Sequence, residues 1–202
     1  MKRSIFLSLV LMGVVLMING CASTKVTREE INKSIDLSGR WNDTDARMVA
    51  DEMIKTCLNG VWVNDFNKSS GRTPVVIIGT IKNNTFEHIS SDVFVEEMQK
   101  ALMNSGKVVF VANKDERQEV REERVDQQTG NTQPATITAK GHETGADFML
   151  KGSINAVKDA VRGRYVMFYQ VTLELVDMKT NQKRWIGQKE IKKLVERSSV
   201  SI

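Results

Sequence analysis

The run Pro74-Val75-Val76-Ile77-Ile78-Gly79-Thr80-Ile81 constrains the fold more than any other stretch of this chain. It is short, β-branched and apolar at successive positions, and Asn83 and Asn84 end it. Both of its faces need cover, which is the situation of a central strand rather than a solvated one. The residues that follow supply part of that cover. Ser90 or Ser91 opens a helix of about 91–104, with Phe94, Met98, Ala101 and Leu102 on its inner face. Ser105-Gly106 closes it, and Lys107-Val108-Val109-Phe110-Val111-Ala112 returns as a second strand. Strand, helix and strand in that order predict a parallel pair with a right-handed crossover.

Upstream, Leu37-Ser38-Gly39-Arg40-Trp41 brings the chain into the domain, with Gly39 as a turn and Trp41 as a side chain to bury. Asn42 or Asp43 caps a helix of about 44–59, and Asp45 and Asp51 fall toward its positive end. Gly60 stops it. Val61 to Phe66 reads as an irregular apolar segment and Asn67 to Arg72 as a turn-rich loop. Downstream, Asn113 caps a charged helix of about 114–127. Lys114, Arg117, Arg121 and Arg124 form one stripe, and Glu116, Glu119, Glu123 and Asp126 form another. Only Val120 and Val125 are apolar, so this helix is expected to be solvated and loosely docked.

Gln128 to Thr136 is a polar loop, and a short helix is expected at about 136–143. Asp147 to Ile154 follows, and Tyr165, Met167, Tyr169, Val171, Leu173 and Leu175 then alternate with polar neighbours along one strand. Lys179 to Gln182 turns the chain, and Arg184 to Lys193 runs back carrying Trp185, so these strands form an antiparallel meander. The expected fold is a single α/β domain, a mixed β-sheet with flanking helices.

The N-terminus carries a different signal. Lys2 and Arg3 precede an apolar run, Ile5 to Ile18, of signal-peptide length and too short for a comfortable membrane-spanning helix. Gly20 beside Cys21 resembles a bacterial lipoprotein processing site, where the leader is removed and the cysteine acylated. Ile18 and the bulkier Asn19 stand where such sites usually carry Leu and a small residue. The expected organisation is a signal peptide over 1–20, a lipidated tether over 21–36 and a domain over 37–202. The tether is polar and free of proline, and Thr27-Arg28-Glu29-Glu30 has the form of a capping box for a short helix. If residues 22–41 are extended and flexible, they span roughly 25 Å on average and about 70 Å at most. No later stretch is apolar enough to cross a membrane, which leaves Cys21 as the anchor.

Chemistry is sparse. Losing residues 1–20 removes two cations and no acid, so the formal charge falls from +4 to +2 and gives no general reason to bind nucleic acid. With Cys21 acylated, Cys57 has no disulfide partner. Its spacing with Ala46, Ala50 and Met53 places it on a buried helix face. His88 and His142 lack metal-ligand spacing. No nucleophile elbow or phosphate-binding loop occurs, so no catalytic, metal or cofactor residue and no small-molecule substrate is assigned. The basic C-terminal stretch (Lys183, Arg184, Lys189, Lys192, Lys193 and Arg197, against Glu190 and Glu196) reads as a solvated edge strand whose lysines discourage edge pairing, with contact to anionic lipid, glycan or an acidic partner as the alternative.

Four segments in order resemble the LpoB family of outer-membrane lipoproteins that activate bifunctional penicillin-binding proteins. They are Val75-Val76-Ile77-Ile78 with Asn83-Asn84-Thr85; Asn104-Ser105-Gly106-Lys107; Thr144 to Leu150; and Leu173-Glu174-Leu175-Val176 leading to Trp185-Ile186-Gly187. The resemblance implies an α/β domain related to the N-terminal domain of TolB, with no enzymatic activity. It also implies docking on a peptidoglycan synthase from an outer-membrane anchor facing the periplasm. Ala22 after Cys21 fits outer-membrane sorting in enteric-type bacteria. Better-known members carry a long proline-rich arm, whereas this tether is short and lacks proline. The resemblance identifies no partner-binding residues. Curli-secretion-type lipoproteins share a related α/β core, which makes a component of an envelope secretion or surface-appendage apparatus the alternative. A cell-wall hydrolase, requiring convergent acids, is a third reading.

Overall fold

A computed structural model describes residues 25–31 and 33–196; the leader, Cys21 and Arg197 lie outside the described residues. Residues up to Lys33 form one unit and residues from Ser34 another. In the first unit the described residues form no helix, contrary to the capping-box expectation at Thr27. Glu29 there pairs with Lys33 at 2.6 Å and the Lys33 N–H donates to the Glu30 carbonyl at 3.0 Å, a single turn with an exposed ion pair too weak to nucleate a helix.

The second unit begins with helix α1, Asp43–Leu58. The Asn42 side chain accepts from the Asp45 N–H at 3.1 Å, and the Asp45 carboxylate accepts from the Asn42 N–H at 2.9 Å. This reciprocal box satisfies two orphan donors and starts the helix. Ala46, Val49, Ala50, Met53 and Cys57 form its buried stripe. Helix α2, Val61–Ser70, occupies the region expected to be an irregular segment and a loop. Trp62 and Phe66, one turn apart, give it an inner face that outweighs the poor helix propensity of Asn67 to Ser70. Gly71 at φ 67 ends it, donating its N–H to the Asn67 carbonyl at 2.9 Å.

Strand β1, Val75–Asn83, helix α3, Asp92–Asn104, and strand β2, Val109–Val111, form the expected parallel unit, with β2 shorter than its apolar run. Helix α4, Lys114–Asp126, starts on a capping box between Asn113 and Glu116 and buries none of its residues. The helix expected at 136–143 does not form. Pro134 sits in a 3₁₀ turn, Gly141 takes φ 85, and the polar segment offers no apolar face to repay helix formation.

Strands β3, Phe148–Val161, β4, Arg164–Asp177, and β5, Lys183–Glu196, make the antiparallel meander. The sheet order is β2-β1-β3-β4-β5, with β1 parallel to both neighbours. Each strand of the meander has 14 residues, roughly 45 Å of length. β1 is shorter, and its last partner on β3 is Ile154, so the β3–β4 hairpin projects beyond it. Arg162-Gly163 forms the two-residue turn, and Gly163 adopts the φ of 80 that such a turn demands.

Register decides what each face meets. Met167, Tyr169, Val171, Leu173 and Leu175 of β4 are buried beneath α1 and α3 together with Ile154, Trp185 and Ile191. Val166, Phe168, Gln170, Thr172 and Glu174 point to the opposite face and stay half-exposed. Cys57 is 1% exposed, and burial pushes its thiol up to about 12. The folded chain is therefore expected to leave Cys57 untouched by a thiol reagent at mildly alkaline pH and to titrate it fully in denaturant.

Candidate docking surfaces at the two ends of the sheet

Among the described residues, no three His, Cys, Asp or Glu side chains converge as metal ligands, and His88 and His142 are exposed. The charged stripes of α4 do not form a site either. Arg121 and Arg124 reach outward to Glu143, at 2.8 Å each, and tie the irregular segment to the helix. Hydrogen bonding from Arg121 first, with Arg124 adding to it, holds the Glu143 carboxyl down at about 2. A depressed folded pKa means this clamp holds above the ordinary carboxylate range and is lost as pH falls toward 2. Glu143→Gln is expected to expose Lys140 to faster tryptic cleavage at neutral pH with little change in global unfolding.

The two poles of the sheet are more informative. At the pole where β3 begins and β4 ends lies a cleft of about 590 Å³ lined by Phe66, Arg72, Asp147, Met178, Lys179 and Arg184, among others. Asp147 knots this pole together. Its carboxylate takes a bidentate pair from Arg72 at 2.6 and 2.7 Å and accepts from the Val75 N–H at 2.9 Å. Its backbone N–H donates to the Val75 carbonyl, and its carbonyl accepts from the Met178 N–H, both at 2.8 Å. Desolvation opposes the charge, but the Arg72 and Val75 donors prevail and lower the Asp147 pKa. The Arg72 guanidinium also lies 5.1 Å over the Phe66 ring. Asp177 accepts from the Lys179 and Thr180 N–H groups at 2.9 Å and shapes the turn into β5. The cleft therefore has an aromatic floor and a charged rim, on which Lys179 and Arg184 are exposed cations.

The opposite pole receives the chain from the tether. Lys193 of β5 donates to Asp45 at 2.6 Å, to Asp36 at 2.8 Å and to the Arg40 carbonyl at 3.1 Å. Burial works against the Lys193 charge, yet the two carboxylates outweigh it and raise its pKa. Asp45 is the one buried charged residue among those described. Nearby, Glu87 accepts from the Trp41 N–H at 3.0 Å and from the Tyr169 hydroxyl at 2.9 Å. Burial and then Glu87 raise the Tyr169 pKa, so this hydroxyl acts as a fixed donor. Residues 36–42 are thus latched across the end of the sheet.

A family model described as peptidoglycan-synthase activator LpoB matches residues 45–191. The chain belongs to the LpoB family. The match runs from α1 into β5 and so includes the Asp147 knot, and of the latch it includes Asp45, Glu87 and Tyr169 but not residues 36–42 or Lys193. Two solved LpoB C-terminal domains, from Escherichia coli and Salmonella enterica, are each 17% identical, with TM-scores of 0.38 and 0.35. Each comparison covers 70% of this chain and 96% of the other. Lipoprotein GNA1162 from Neisseria meningitidis is 16% identical over 64% of this chain and 88% of its own, with a TM-score of 0.37. Comparison with curated protein sequences finds no match.

In this LpoB-family chain, three of the four segments that carried the resemblance have visible structural work. The Asn83 amide oxygen accepts from the Thr85 N–H at 3.0 Å and from its hydroxyl at 2.7 Å. The Asn83 amide nitrogen donates to the Glu87 carbonyl at 2.8 Å, which sets Glu87 beneath Tyr169. Thr144 to Leu150 delivers Asp147, and Trp185 and Gly187 close the core beside Met53. The Lys193–Asp45 and Arg72–Asp147 pairs were not legible in sequence, because partners separated by 75 residues or more share no periodicity. Cys21 lies outside the described residues.

Proposed function

We propose that this chain is a non-catalytic lipoprotein, acylated at Cys21, that binds a bifunctional penicillin-binding protein and activates its peptidoglycan synthesis. Family membership over residues 45–191 carries the reading. The protein sits on the periplasmic face of the outer membrane. The pole away from the Asp36–Lys193 contact presents the aromatic cleft with Lys179 and Arg184 on its rim. Arg and aromatic side chains at a formed concavity are the kind of anchors that dominate protein interfaces, which makes this pole the synthase-docking surface.

The alternative is a component of a secretion or appendage apparatus. Its pore-forming members need extra amphipathic hairpins, and the β4–β5 pair does not serve as one, because Met167, Tyr169, Val171, Leu173, Leu175, Trp185 and Ile191 within it are buried in the core. No helix among the described residues is long and apolar enough to cross a membrane.

The test is capture of partners by the mature, acylated chain from solubilised envelopes of its own organism. A bifunctional penicillin-binding protein is expected to be enriched, and Lys179→Glu with Arg184→Glu to reduce it by tenfold or so. Recovery of secretion or appendage proteins without any cell-wall synthase would overturn the reading. Intact mass of the purified chain tests the acyl group on Cys21 separately.

A further inference from the structure

The projecting end of the β3–β4 hairpin leaves apolar side chains uncovered on the face opposite α1 and α3. Val161 is 71% exposed, Val157 63% and Leu194 61%. They are grouped by register rather than scattered. Val157 stands opposite Phe168, which stands opposite Lys192, and Leu194 is opposite Val166 on the same face. Arg162 at the turn and Lys192 on β5 are exposed cations beside them, and Arg164 is paired with Glu196. Lys158 lies on the other face, 4.9 Å over the Tyr165 ring. Asp159, opposite Val166, is an exposed acid on the valine face, between Val157 and Val161 and flanked by the two cations. Exposed valines next to cations suit a surface that is apolar beneath and anionic on top.

The tether specifies which surface lies within reach. Asp36 is pinned to Lys193, the residue between Lys192 and Leu194, and a Cβ on Gly39 would meet Val195 and Tyr165. The anchored chain therefore leaves the domain at the tip pole. Cys21 and Asp36 are 15 positions apart, which gives roughly 20 Å on average and about 50 Å at most. We infer that the β3–β4 hairpin tip rests on the bilayer that holds the lipid anchor, with Val157, Val161 and Leu194 against the acyl boundary and Arg162 and Lys192 at anionic headgroups. The inference rests on acylation of Cys21. It orients the charged cleft, at the other end of strands roughly 45 Å long, away from the membrane.

The experiment places an environment-sensitive dye at Val161→Cys in the mature acylated chain, with Ser69→Cys at the cleft pole as reference. Cys57 is buried and stays unlabelled. The chain is reconstituted in vesicles of phosphatidylcholine with phosphatidylglycerol, or of phosphatidylcholine alone. The dye at 161 is expected to shift blue and to be quenched by lipid-borne quenchers, more in the anionic vesicles, while the dye at 69 stays in water. Lys192→Glu is expected to weaken the quenching, since each basic contact changes partition by about fivefold. Equal quenching at both sites, or none at 161, overturns the proposal. So does shielding at 161 that appears without lipid as protein concentration rises, because a second copy then covers the face. If Cys21 carries no acyl chain, it is changed to Ser so that the dye stays on 161 alone, and the labelled chain is added to preformed vesicles. Quenching at 161 then still supports the tip contact, and its absence overturns it.

Discussion

Lys193→Ala is expected to cost about 3–5 kcal/mol of folding stability, far more than a lysine on an edge strand normally contributes. The reason is Asp45. Its side chain is 3% exposed and is held by the Lys193 ammonium at 2.6 Å and the Asn42 N–H at 2.9 Å. Removing the ammonium leaves a buried carboxylate without a countercharge, the situation in which breaking an ion pair costs most. The same cut frees Asp36 and the Arg40 carbonyl, so residues 36–41 lose their main polar hold.

The pH dependence of that variant follows from the shifts. Burial already raises the Asp45 pKa, against Lys193 and the Asn42 amide. Without Lys193 the folded state binds a proton more readily than the unfolded chain. Stability of the variant should then fall as pH rises from the ordinary carboxylate range through the raised value. The wild type behaves differently at the other end of the scale. The raised Lys193 pKa contributes stability that is complete below the ordinary lysine value and fades as pH rises through the folded one. Urea unfolding at acid and neutral pH checks the first, and urea unfolding at alkaline pH, above the ordinary lysine value, checks the second. The double change Lys193→Met with Asp45→Asn should recover most of the loss, since an amide still serves the Asn42 N–H and no charge is left behind. A loss under 1 kcal/mol for Lys193→Ala would mean that water reaches Asp45 and that the latch is a surface contact.

The sequence reading succeeded where one short segment held the whole signal. The apolar run of β1, the capped helices α1 and α4, and the alternation along β4 each state their own environment within a dozen residues. It failed at α2, where the apolar residues are confined to Val61, Trp62, Val63 and Phe66, and Asn67 to Ser70 are polar, so the two halves read as an irregular segment and a loop. It failed again at 136–143, where composition resembled a weak helix but nothing apolar awaited it. The two poles were beyond reach for a related reason. Lys193 read as one of several solvating lysines and Asp45 as a helix-dipole acid, and only the folded register brings them within 2.6 Å. Asp147 was visible as part of a family segment, without any sign that it would join β1, β3 and the β4–β5 turn.

Trp62→Ala is the second large effect, expected at about 3–5 kcal/mol. Trp62 is 1% exposed, its indole N–H donates to the Cys57 carbonyl at 3.1 Å, and its ring meets Phe148 edge-on at 5.3 Å. Phe66 also meets Phe148, edge-on at 5.3 Å, and Arg72 lies over Phe66 while gripping Asp147. The cavity left by the indole therefore opens at the base of α2, directly beneath the floor of the charged cleft. Two readouts separate this from ordinary core loss. Cys57 should become reactive to thiol reagents in the folded variant, because its cover is gone before the domain unfolds. Synthase capture should fall further than stability alone predicts under conditions where the variant remains folded. Trp62→Phe keeps one aromatic ring and loses the second ring of the indole with its hydrogen bond, so it should cost about 2 kcal/mol, less than Trp62→Ala, and retain capture. Full capture by a folded Trp62→Ala chain would remove the cleft from the docking surface and leave Trp62 as core packing only.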